Sequence, residues 1–155
     1  MNNTNEIFTR KHFLAGLLVG TLDITAAGIQ FYIKTGKSPT GVLRYVASGA
    51  FGPEAFSGSS VMLLWGLIFH FMIAMTFTFL FFFLVENLPI LSRQKIPFAI
   101  IYGIFMWAAV RFLVIPFSQI TPPAFNLKNI AIAVSILIIC ISVPLTIIAE
   151  KKRVS

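Results

Sequence analysis

Charge is what this sequence has least of. Only 11% of its 155 residues are charged, against about 25% in an average soluble domain, and the mean hydropathy is +0.90. With 57% hydrophobic residues, too little polar side chain remains to cover a globule in water, which excludes a water-soluble single domain. Disorder is excluded as well, since disordered chains are poor in aromatics and this one has 17 phenylalanines. A single cysteine, Cys140, forbids any disulfide within the chain and leaves no cysteine-based metal motif. A single aspartate, Asp23, excludes proteolysis by paired aspartates. The chain has no nucleophile elbow, no H-E-x-x-H, no P-loop and no dinucleotide fingerprint, so neither an enzyme activity nor a metal or cofactor is expected. Nor are there the alternating segments of a transmembrane β-barrel.

What the sequence does have is long apolar runs. A spanning helix needs roughly 20 such residues, and four segments qualify, at about 13–32, 60–85, 97–117 and 129–149. Backbone groups in lipid must satisfy one another within a segment, so each run reads as a helix. The expected fold is an all-α, four-helix integral membrane bundle, one domain over 1–155. Pro97 suits a helix start, and Pro144 marks a kink in the last span. Arg10, Lys11 and Thr25-Ala26-Ala27 imitate a cleaved signal peptide, but Asp23 breaks the apolar stretch and hydrophobicity continues past it, so the first span is read as retained.

Net charge is +7, yet the basic residues form no aromatic-interleaved patch, and nucleic acid is not an expected partner. Their distribution reads instead as a topology signal. With four spans, Arg10, Lys11, Arg93, Lys95, Lys151, Lys152 and Arg153 share one side, and Lys34, Lys37, Arg44 and Lys128 the other. The bias favours both termini inside. The partner is then the bilayer, together with a second copy or another membrane subunit. The long outer loop at 33–59 contains an apolar, Gly- and Ser-rich stretch too short to span. It reads as a short interfacial or re-entrant helix near Thr40–Ala50, capped by Thr40, with a turn at Gly52-Pro53. Arg44 and Glu54 form a candidate pair over the bundle mouth, and Gly49, Gly52 and Gly58 are read as turn residues.

Three ionisable residues fall inside the spans. Asp23 lies halfway along the first, where an aspartate costs about 2.5–3.5 kcal/mol to insert. Gly16, Gly20, Asp23 and Ala27 share one helix face, and Gly16-x-x-x-Gly20 permits close helix approach. His70 has Gly66 and Ala74 four residues to either side, and Arg111 lies in line with Ala99, Gly103 and Trp107. Asp23, His70 and Arg111 occur at similar depths, so Asp23 and Arg111 are expected to form a buried ion pair with His70 bonded nearby. Trp65 and Tyr102 are assigned to the aromatic belts.

Taken together, Gly20–Ala27 (GTLDITAA), Ala47–Gly58 (ASGAFGPEAFSG), Gly66–Phe71 (GLIFHF) and Tyr102–Trp107 (YGIFMW) resemble a group of small uncharacterised bacterial four-span inner-membrane proteins. That resemblance implies architecture and a bacterial inner-membrane address, and no chemistry. A looser likeness is to the small multidrug-resistance exporters, which also carry an acid in the first of four helices. Here the acid is Asp23 rather than glutamate, and the first loop is far larger. Two functional classes stay open. One is small-solute or proton-linked transport through the polar cluster. The other is a non-transporting scaffold or accessory subunit in which those residues are structural. An enzyme acting on lipid is a weaker third.

Overall fold

The computed structural model describes residues 10–88, 94–122 and 124–154. Among these residues there is no strand; the structure is all-helical. Four helices are long and apolar enough to cross a membrane, at Arg10–Thr35, Ser60–Asn87, Lys95–Phe117 and Leu127–Glu150. We label the elements α1 (Arg10–Thr35), α2 (a short helix, Gly41–Phe51), α3 (Ser60–Asn87), α4 (Lys95–Ala109 and its continuation to Phe117) and α5 (Leu127–Leu137 and its continuation to Val154). Each long helix runs a few residues beyond the purely apolar core of its segment, because polar residues complete the end turns. Of the charges used above for orientation, Arg93 and the side chains of Lys151, Lys152 and Arg153 lie outside the described residues.

Side-chain caps explain two of the helix starts. Ser59 is extended and its hydroxyl accepts from the Val61 N–H, opening α3; Asn126 accepts from the Asn129 N–H, opening α5. Thr40 does not cap α2 as expected. It already has helical dihedrals, and its hydroxyl lies 2.9 Å from that of Ser38. A cap must be extended to turn its side chain toward the orphan N–H groups.

α4 and α5 each contain one widened, π-type turn, at Val110–Val114 and Ile138–Ser142. In both, the i→i+5 bond closes on the residue just before a proline. The Ile115 N–H reaches the Val110 carbonyl, with Pro116 following, and the Val143 N–H reaches that of Ile138, with Pro144 following. A proline ring clashes with the carbonyl four residues back, and a wider turn moves that carbonyl away. The kink expected at Pro144 is thus resolved as a change of helical register. Ser142 loses its usual i−4 acceptor to the Val143 N–H, and its buried hydroxyl has no hydrogen-bond partner among the described residues.

The core lies toward the end where α1 begins and α3 ends, here called the terminal end. It is built from Val19 (α1), Phe81 and Phe82 (α3), Tyr102 and Met106 (α4) and Leu145 (α5), all at most 2% exposed. Phe81 packs against the rings of Phe98 and Tyr102 at 5.2 and 5.1 Å. Tyr102 therefore sits in the core, not in a belt, and its hydroxyl donates to the Phe77 carbonyl at 2.6 Å. A buried phenol needs such a partner, and a helix carbonyl with a spare lone pair provides it. Tyr102→Phe should lower stability by about 1 kcal/mol, the usual net value of one hydrogen bond, read as a shifted unfolding midpoint in detergent. An unchanged midpoint would show that this bond contributes nothing.

α2 crosses the other end of the bundle. The 3₁₀ turn that follows it, Gly52–Phe56, begins at Gly52 with φ +55°, a conformation that favours glycine, whereas Gly49 lies inside α2 with ordinary helical geometry. Arg44 does not reach Glu54. Its guanidinium donates instead to the carbonyls of Ala55, Gly58 and Ser59 at 3.0–3.2 Å, tying the connection to α3 onto α2.

Candidate functional site

The glycine stripe of α1 faces α3. A Cβ at Gly16 would strike the Met75 sulfur, and one at Gly20 would come within 2.8 Å of the Phe71 ring. Gly66 of α3 meets α2 rather than a spanning helix, with the Leu43 backbone where a Cβ would go. Gly103 of α4 receives Ile138 at the widened turn of α5. These four small residues set the spacing that brings the polar groups of the interior into range of one another.

Asp23 and His70 come together at mid-bundle. The His70 Nε2 lies 2.8 Å from the Gly20 carbonyl, which can only accept, so that nitrogen carries a proton. The same ring is within electrostatic reach of the half-buried Asp23, as is Cys140 in the widened turn of α5. Arg111 does not join them, and among the described residues it forms no ion pair with Asp23. Its guanidinium stacks 4.7 Å above the ring of Phe125, toward the α2 end. A long cationic side chain extends toward the end of its helix, because stopping at mid-bundle would strip it of polar surroundings.

Arg111 and Lys34 line one cavity of about 290 Å³ between α1, α2, α4 and α5. Tyr45, Trp107, Asn126 and Asn129 also line it, and among the described residues no acid does. Lys34 donates to Asn129 Oδ1 at 3.2 Å, which fixes the ammonium at the rim and leaves the Asn129 amide N–H₂ as a donor. Burial pushes the Tyr45 phenol above its ordinary pKa, with the nearby Arg111 pulling the other way, so at neutral pH it stays a neutral hydroxyl. The cavity therefore offers two cations and several hydrogen-bond donors against apolar and aromatic walls. That donor set suits an anionic group, and the volume is at the small end of the usual range for ligand sites, about 300 Å³. Among the described residues no group of three or more His, Cys, Asp or Glu is placed to hold a metal ion.

No relative is found. Comparison of the chain with protein-family models, curated proteins and solved structures gives no match.

Sequence reasoning singled out Arg111 but not its companions. In the sequence Lys34 is only a loop charge, and Tyr45, Asn126 and Asn129 carry no signal. Lys34 in the last turn of α1 and the Asn126-to-Asn129 cap of α5 become neighbours only if the first and last long helices touch, which no local pattern states. His12 was passed over too. It is buried at the terminal end, 4.2 Å from the Phe82 ring and 3.7 Å from the Glu86 carboxylate.

Proposed function

We propose that the chain is a multi-pass membrane protein with the α2 end outward, and that it binds an anionic group in the cavity beside Arg111. The observation that carries this reading is the convergence of Arg111 and Lys34, from two different long helices, on one cavity that no described acid lines. An anionic group in this space of low polarity would be attracted by both side chains and could accept hydrogen bonds from them. The inside-positive bias of the loops supports the orientation, and α2 then lies within the outer leaflet as an interfacial element.

The proximity of Asp23 and His70 favours a second reading, in which anion binding is linked to proton movement through mid-bundle. Neither Asp23 nor His70 lines the Arg111 cavity, so in this reading the two sites communicate through α1, which carries both Asp23 and Lys34.

Trp107 lines the cavity and reports on it. In nanodiscs of zwitterionic lipid, butyl phosphate should change tryptophan emission saturably. Arg111→Gln should weaken that binding by about ten- to a hundredfold, the loss of one charge-assisted hydrogen bond, and added salt should weaken it further. Binding that is equally strong in Arg111→Gln would overturn the proposal.

A further inference from the structure

A second cavity, also of about 290 Å³, adjoins the first. Tyr45, Val110 and Ile115 line both. The second is almost entirely apolar. It runs between α2, α3 and the end of α4, past Gly49, Phe69, Met72 and Ile73. Ile73 is 13 residues beyond the start of α3, roughly 20 Å along its axis, so the α3 wall of this cavity, Phe69 to Ile73, lies near mid-bundle. Met72 is 61% exposed, which leaves the cavity open sideways toward the surroundings of the bundle.

A cationic pocket and an apolar slot that share a wall match the two halves of one molecule. We propose that the ligand is an anionic membrane lipid, its phosphate-class headgroup on Arg111 and Lys34 and one hydrocarbon chain in the apolar cavity. The inference rests on the anion-binding reading and adds the chain. The slot lies directly beside the headgroup pocket across the shared wall of Tyr45, Val110 and Ile115, and its open side lets a chain enter without leaving hydrocarbon. A free inorganic anion would use the first cavity and give the second no role.

Gly49 makes this testable. A Cβ there would rest at ordinary contact distances, 3.5 Å from Ile120 and 3.6 Å from Ser118, so a larger side chain fits locally and grows into the slot. The probes are butyl and dodecyl phosphate, titrated in the same nanodiscs against Gly49→Leu and the unaltered chain. Ala50→Leu, on the same wall, serves as a second filling variant if the first does not fold. Longer chains partition more into any bilayer, so the readout is the ratio of variant to unaltered protein for each probe, in which partitioning cancels. The expected result is dodecyl phosphate binding weakened by about tenfold or more in the filled variants, with butyl phosphate binding within about twofold of unaltered. If filling the slot leaves dodecyl phosphate unaffected while Arg111→Gln still weakens both probes, the chain site is overturned and the anion site stands. If Arg111→Gln affects neither probe, both proposals are overturned.

Discussion

A valine at Gly66 is expected to detach α2 from the bundle. The Leu43 carbonyl occupies the space where the first side-chain carbon would go, and the Leu43 Cα is 3.0 Å from that point. Backbone cannot swing aside as a side chain can, so α2 must lift as a whole. Overpacking typically costs about 1–3 kcal/mol, and a backbone obstacle places Gly66→Val at the top of that range. Gly16 provides the contrast. Its obstacle is the flexible end of Met75, which can rotate away, so Gly16→Ala should be milder by about 1 kcal/mol or more. Hydrogen exchange over residues 41–51 is the direct measurement. Fast exchange there, with α3 still protected, is the expected pattern. Unchanged protection in Gly66→Val would show that the approach of α2 to α3 is not tight. Tyr45 moves with α2, so anion binding should fall in the same variant.

The second large effect concerns Asp23 and His70. His70 lies within electrostatic reach of Asp23 without direct ion-pair contact, and its one polar contact among the described residues is the Gly20 carbonyl; losing a partly buried hydrogen bond of this kind costs about 1–3 kcal/mol. About 2 kcal/mol is expected for His70→Phe, which loses that bond and the favourable field at Asp23. Asp23→Asn should cost less, because the amide keeps the shape and His70 still donates to the Gly20 carbonyl. The double variant should be less harmful than the sum of the two, by about 1 kcal/mol or more. Unfolding in mixed micelles over a denaturant series gives all three values. Strict additivity would show that the two residues do not interact. If the coupling is present and anion binding in Asp23→Asn keeps its pH dependence, the pair is structural and the proton-linked reading fails.

The division between what could and could not be read from sequence follows the range of each signal. The four apolar helices were legible because their evidence is local: about 20 consecutive apolar residues specify a helix wherever the neighbours lie. Asp23 and His70 could be associated because each stands out against an apolar segment. The Asp23–Arg111 pairing was not legible correctly. Similar depth of two Cα atoms says nothing about which way a long side chain extends, and Arg111 extends away, over Phe125. Tyr102 was assigned to a belt from its position near a span end, but the twist of α4 turns it onto Phe81. The anion cavity was invisible for a related reason. Lys34 and Asn129 are 95 residues apart and meet only through helix packing.

Arg44 leaves a last consequence. With one cysteine, the chain has no covalent staple with which to fasten the cover formed by α2 and its following turn. Hydrogen bonds do that work: the Arg44 guanidinium gathers three carbonyls of the connection to α3 onto α2, and Gln119 donates its backbone N–H and side-chain amide to the Gly49 and Ala50 carbonyls. Such a fastening is indifferent to the redox state of its surroundings. It is vulnerable instead to solutes that compete for carbonyl oxygens, such as urea or guanidinium, so in rising denaturant this end of the molecule should loosen before the phenylalanine core at the other.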